Sequence, residues 1–200
     1  MAKLILFNKP FGVLSQFRQD NGNSYKTLSD YFDDKSLRVA GRLDATSEGL
    51  LLLTDDGRLN QRLTQPKAMY KPTAKPTTQM TATLNVSDGK TYWVQVAGLV
   101  SDKQIDILAS GVMLRDGKTM PALVSRLGEG DIARLWQAPN GVAYRKITSW
   151  LAITLFEGKN RQIRRMTASV GLPCLRLVRV AVQGYSVFDI AVGECVCLVV

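Results

Sequence analysis

Two hundred residues, 46% of them hydrophobic and 22% charged, suffice to bury a core in one domain or two small ones. The net charge of +9, from 26 Lys and Arg against 17 Asp and Glu, points to a polyanionic partner, either nucleic acid or an acidic membrane surface. Histidine is absent, which removes imidazole acid/base chemistry, Ser-His-Asp triads and histidine metal sites, and the cysteines (Cys174, Cys195 and Cys197) form no C-x-x-C pair.

Whatever chemistry the chain performs falls to carboxylates, Tyr, Lys and Arg. No apolar run approaches the roughly 20 residues that span a bilayer. The first ten residues have too short an apolar core for a signal peptide. A cytoplasmic protein is expected.

In chain order, Leu4-Ile5-Leu6-Phe7 reads as a buried strand stopped by Asn8-Lys9-Pro10, and Gly12–Phe17 as a second strand. Asp20-Asn21-Gly22-Asn23 carries turn chemistry. Leu28, Tyr31 and Phe32 recur at helical spacing, which predicts a helix over residues 24–32.

Leu37-Arg38-Val39-Ala40 then leads into the polar stretch Gly41-Arg42-Leu43-Asp44-Ala45-Thr46-Ser47-Glu48-Gly49, which runs straight into the leucines at 50–53. That leucine run reads as a buried strand, and a strand fixes whatever side chain the turn before it presents. Asp44 is presented there, with Arg42 on the same side of an extended segment. Taken alone, Asp44 is more simply a turn or helix cap.

Asp55-Asp56-Gly57 turns the chain into a short helix over Arg58–Leu63. Residues 66–76, rich in Lys, Pro and Thr, read as a connection whose Lys67, Lys71 and Lys75 suit phosphate or plain solvent equally. Met80, Ala82, Leu84 and Val86 alternate as a half-buried strand, Ser87-Asp88-Gly89-Lys90 turns, and Thr91–Val96 returns. Ser101–Ser110 is a predicted helix, with Gln104 completing a capping box on Ser101 and Gly111 as its stop.

Thr119–Val124 is extended, Gly128–Arg145 irregular, and Trp150–Phe156 a strand. Ile163, Met166 and Val170 form a helical apolar stripe, with Arg161, Arg164 and Arg165 on another flank and Gly171 and Pro173 as the stop. Strands around Leu175–Val182 and Cys195–Val200 close the chain. The interspersed elements fit an α+β class with a largely antiparallel mixed sheet.

Three stretches in this order resemble the motifs of the pseudouridine synthases, in the branch that includes RsuA. Gly41-Arg42-Leu43-Asp44 with Ser47-Glu48-Gly49-Leu50-Leu51 resembles the catalytic motif. Lys90-Thr91-Tyr92 resembles the Lys-x-Tyr motif, and Glu157-Gly158-Lys159-Asn160-Arg161-Gln162-Ile163-Arg164-Arg165-Met166 the arginine motif. The likeness extends from Leu4 to about Tyr185.

It implies one catalytic domain over residues 1–200, built as two subdomains flanked by helices, with a connection near residues 66–90, a cleft across the sheet and no S4 RNA-binding domain ahead of it. Two departures stand out: the segment Pro72–Gly89 is longer than the family pattern, and the tail from Gly193 is more apolar.

The implied reaction detaches uracil from ribose at N1, turns the base and rejoins it through C5, so neither a cofactor nor a metal is expected. By this resemblance Asp44 is the nucleophile, Tyr92 stacks on the base and helps remove the C5 proton, and Arg164 opposes the carboxylate. Arg42 takes the place of the flipped nucleotide or binds a phosphate. Lys90, Lys159, Arg161 and Arg165 contact the RNA backbone, and Lys9, Lys67, Lys71 and Lys75 would widen that surface, each individually no better than a solvated lysine.

The implied partner is large-subunit ribosomal RNA, with no membrane and a monomeric protein. The rival is a non-catalytic RNA-binding or ribosome-assembly factor on the same fold. A two-carboxylate glycosidase using Glu48 ranks last.

Overall fold

The computed structural model describes residues 2–19, 22, 24–64 and 89–200. Chain segments sort into two units. The first contains residues 1–65, 178–180 and 185–200, and the second residues 66–177 and 181–184.

In the first unit the successive elements are β1 (Lys3–Lys9), a single 3-10 turn at Leu28–Asp30, β2 (Arg38–Ala40), β3 (Glu48–Thr54) and α1 (Gly57–Thr64). All seven residues of β3 are buried. It has strand neighbours on both edges, so its sequence reads as a continuous apolar run and not as an alternation. β1 lies antiparallel along one edge, with Leu6 opposite Leu52. On the other edge, β2 pairs antiparallel with the C-terminal half, Val39 opposite Leu53.

Below β2 on that edge, Glu48 and Gly49 run parallel to Val178 and Arg179. These belong to β9 (Cys174–Val182), whose other residues lie in the second unit. Gly49 has φ +99°, and a Cβ there would run into the Arg179 carbonyl, so only glycine lets the two strands meet.

Ile5 and Phe7 of β1 and Leu51 and Leu53 of β3 form one core with Val13, Leu28 and Leu37. Phe7 centres that core, its ring 5.1 Å from both Tyr31 and Phe32. Full burial of each such side chain contributes about 1.5–3 kcal/mol.

This packing explains where local patterns misled. The spacing of Leu28, Tyr31 and Phe32 is set by contact with Phe7, and the helix expected over residues 24–32 shrinks to one turn. Thr27 N donates to Asp30 Oδ2 at 2.8 Å and holds it. Gly12–Phe17 is not a strand. Val13 makes one isolated bridge to Lys26, and the neighbouring backbone groups are bonded to other loops.

The apolar tail forms β11 (Cys195–Val199), following β10 (Tyr185–Ser186), and pairs antiparallel with the outer edge of β1. Its backbone role accounts for its strand composition, although Cys195, Val196, Cys197 and Val199 stay exposed.

In the second unit the elements are β4 (Lys90–Ala97), α2 (Asp102–Ser110), the hairpin β5 (Met113–Leu114) and β6 (Gly117–Lys118), β7 (Leu123–Arg126), α3 (Glu129–Ile132), β8 (Thr148–Leu155) and α4 (Gln162–Ser169). β8 lies antiparallel between β4 and β7, with Tyr92 opposite Ile153 and Val124 also opposite Ile153. The α2 capping box forms as expected: Gln104 N donates to Ser101 Oγ at 3.3 Å and Ser101 N donates to Gln104 Oε1 at 2.9 Å.

The irregular stretch after α3 is held by side chains. Arg176 donates both Nη atoms to the Trp136 carbonyl at 3.2 Å, with its guanidinium 6.0 Å from the Trp136 ring. Arg134 sits likewise over Trp93.

The expected connection at residues 66–76, the strand Met80–Val86 and the first half of the turn after it lie outside the described residues, as do Asp20, Asn21 and Asn23. Among the described residues no helix is long and apolar enough to cross a membrane.

Candidate active site

The Asp44 loop joins β2 to β3 and is fixed through its backbone. On one side of Asp44, Ser15 Oγ donates to the Leu43 carbonyl at 2.8 Å and accepts from Leu43 N at 3.1 Å. On the other side, the Ala45 carbonyl accepts from Gly12 N at 2.8 Å and from Lys9 Nζ at 3.5 Å. Ser47 N donates to the Asp44 carbonyl at 3.0 Å and closes the turn.

Arg179 spans the loop from below. Its Nη2 donates to the Gly41 carbonyl at 2.9 Å and its Nε to the Leu50 carbonyl at 2.7 Å, one bond before the loop and one after it. Residues 12–16, read as a strand from sequence, therefore serve as one wall of this cradle. Asp44 itself is half-buried.

The cradle is charged and buried. Lys9 and Arg179 are 0% and 1% exposed and Glu48 2%. Burial pulls the Lys9 ammonium down from the ordinary lysine range to about 7; Glu48 opposes the shift, Arg179 adds to it and Asp44 opposes it.

Sequence reasoning missed Arg179 and took Lys9 for part of a strand stop and for a lysine of the RNA-facing surface, whereas it is buried and turned onto loop carbonyls. A signal existed for Arg179: a charge inside the apolar run Leu175–Val182 has to find buried acceptors. Arg42, exposed, donates through Nη2 to Gln16 Oε1 at 3.4 Å.

In the second unit, Lys90 and Tyr92 share one face of β4. Tyr92 is buried and Lys90 half-buried. A Cβ on Gly158 would stand 3.4 Å from Lys90 Nζ, so the fold brings the Lys-x-Tyr stretch against the arginine stretch.

Arg164, half-buried on α4, donates through Nη1 to Cys174 Sγ at 3.6 Å. Burial pushes the Cys174 thiol up, while Arg164 and Arg161 pull it the other way. Arg161 precedes α4 with φ +46° and is exposed.

Lys159 and Arg165, expected on phosphate, both reach the β5–β6 hairpin. Lys159 Nζ donates to the carbonyls of Asp116, Gly117 and Lys118 at 3.2–3.3 Å. Arg165 grips Asp116 with two bonds of 2.7 and 3.0 Å, which holds that carboxyl below the usual range and raises Arg165. No local pattern announced this hairpin.

A family model described as RNA pseudouridylate synthase matches residues 3–169. The chain belongs to the RNA pseudouridylate synthase family. The family match takes in the Asp44 loop, the Lys-x-Tyr stretch and the arginine stretch, and it ends with α4, before Arg179.

Ribosomal large subunit pseudouridine synthase E of Vibrio vulnificus is 44% identical over 96% of this chain and 73% of its own length. The protein of the same name from Xanthomonas campestris pv. campestris is 45% identical over 96% of this chain and 92% of its own. A crystal structure of a pseudouridylate synthase superposes on 100% of this chain and 71% of its own, with a TM-score of 0.72 and 26% identity.

Proposed function

We propose that this protein isomerises uridine to pseudouridine at one site of large-subunit ribosomal RNA, in the cytoplasm, with Asp44 as nucleophile. The observation that carries the proposal is the Asp44 loop, immobilised through Leu43 and Ala45 over buried cations, in a chain 44–45% identical to synthases that act on the large subunit by name. A held carboxylate is suited to covalent catalysis.

The glycosidic N1–C1′ bond breaks, the base turns while Asp44 takes part covalently, and a C5–C1′ bond forms. C5 loses a proton and N1 gains one, so nothing is consumed. Tyr92 stacks on the base and assists at C5, and Arg164 supplies the cation that offsets the carboxylate. The target must leave its stack to react, and Arg42 fills or braces the gap. Lys90 and Arg161 contact phosphate, while Lys159 and Arg165 act on the RNA through the hairpin they hold. The protein works as a monomer.

Pseudouridine mapping of ribosomal RNA from cells lacking this protein tests the proposal. One uridine is expected to lose its modification, with wild type restoring it and Asp44→Ala failing, at below roughly one thousandth of wild-type turnover. Restoration by Asp44→Ala overturns the nucleophile and favours the RNA-binding assembly factor. An unchanged map overturns the ribosomal substrate.

A further inference from the structure

We infer that Tyr144, Arg145 and Lys146 form a further RNA contact, a stacking and phosphate-binding surface for single-stranded nucleotides that flank the target uridine. The inference rests on the proposed ribosomal RNA substrate. It places the contact at the end of the β4–β8 pair remote from Lys90 and Tyr92.

Between α3 and β8 the chain runs through residues 133–147 without helix or strand, and not one of them is buried. A connection of that length that adds nothing to the core is usually functional or a linker. This one is no linker, because it is fixed at both ends. Upstream, Arg134 lies over Trp93, and Arg176 holds Trp136. Downstream, Gly98 N donates to the Ile147 carbonyl at 3.0 Å, and Ser149 Oγ donates to the Gly98 carbonyl at 2.9 Å.

Tyr144 stands between these anchors, 83% exposed, more than any other large apolar side chain among the described residues. Arg145 and Lys146 beside it are exposed as well. Arg145 Nη1 donates to the Tyr144 carbonyl at 2.8 Å, which leaves other donors of its fork for a phosphate. Residues 133–147 contain Arg134, Arg145 and Lys146 and no acidic residue. Asp102, at the start of α2 just past the Gly98 turn, is already paired with Arg126.

An exposed aromatic ring beside two cations is the pattern that binds single-stranded RNA, since bases stack on the ring and cations track the backbone. A protein interface fits less well, because its core is depleted of charge and of lysine above all.

The strand register sets the reach. Tyr92 lies opposite Ile153, and Ala97 opposite Thr148, the residue after Ile147. Ile147 therefore stands roughly 20 Å along the sheet from Tyr92. A stacked strand covers that in about six nucleotides, at about 3.4 Å each. The loop meets RNA well outside the nucleotide that reacts, so it acts on affinity and site choice and not on the chemistry.

The test uses the full chain and a protein-free large-subunit ribosomal RNA transcript. Tyr144→Ala is expected to raise Kd about tenfold and Tyr144→Phe to bind as wild type, because the ring face makes the contact and the hydroxyl does not. Arg145→Gln combined with Lys146→Gln is expected to lower the slope of log Kd against log salt by about 1.4, at about 0.7 per phosphate on a single strand. KM should rise with Kd while kcat at saturating RNA holds. All three side chains are exposed, so the urea midpoint should stay at the wild-type value, which separates lost binding from lost folding.

An unchanged Kd in Tyr144→Ala, equal losses in the alanine and phenylalanine variants, or an unchanged salt slope each overturns the inference. Unchanged Kd together with lost modification in cells assigns the surface to a protein partner and overturns it too. The two proposals fail separately. Binding losses in the variants, with no pseudouridine formed by wild type, overturn the isomerase and leave this surface standing. Pseudouridine formed by wild type, with undiminished binding in the variants, overturns the surface and leaves the isomerase standing.

Discussion

Two loops of this protein are held by cations, aimed at backbone carbonyls except for Arg165, which takes the Asp116 carboxylate, and they differ in their access to water. Under the Asp44 loop, Lys9 and Arg179 are wholly buried. Under the β5–β6 hairpin, Lys159 and Arg165 do similar work in the open, with the Arg165 and Asp116 side chains 33% and 47% exposed. A carbonyl stripped of its donor in the hairpin turns to water at little cost. One stripped in the cradle has no replacement and bears the full desolvation penalty. The first arrangement fixes the loop that carries the proposed nucleophile, and the second orders a surface.

Arg179→Met attacks the buried case most directly. It leaves the Gly41 and Leu50 carbonyls without their donor and removes a cation that faces Lys9. A loss of about 4 kcal/mol is expected in urea unfolding, with turnover falling further than the unfolded fraction explains.

Gly49→Ala tests the same cradle through its backbone. It places a methyl against the Arg179 carbonyl at a positive φ and should cost about 3 kcal/mol. A variant as stable as wild type would show that β3 and β9 have room to part.

Asp116→Asn tests the exposed case and carries the smallest effect. The melting temperature should stay close to wild type, while amide exchange in residues 113–118 quickens at neutral pH. A melting point that collapses would erase the distinction between the two loops.

Much of the frame was legible because its signals are local. The leucine run gave β3, Ser101 and Gln104 gave the start of α2, and Gly171 with Pro173 marked the end of α4. The stretches around Asp44, Tyr92 and Arg164 stood out by resemblance. The illegible parts share one cause, partners far away in the chain. Gly12–Phe17 has the composition of a strand, but its hydrogen-bonding groups meet Leu43, Ala45 and Lys26. Lys159 and Arg165 have the composition of an RNA contact, yet they close on a hairpin more than 40 residues upstream.

By itself, then, the sequence determined the α+β class and the main strands and helices, because propensity, periodicity and capping act over a few residues, and its motifs pointed to the family. Only the tertiary structure decided how the Asp44 loop is held. Arg179 meets Leu50 and Gly41 across 129 and 138 residues, and Lys9 meets Ala45 across 36. No local pattern encodes such a meeting. It exists because a buried charge must find acceptors, and those acceptors come together only once the strands have paired.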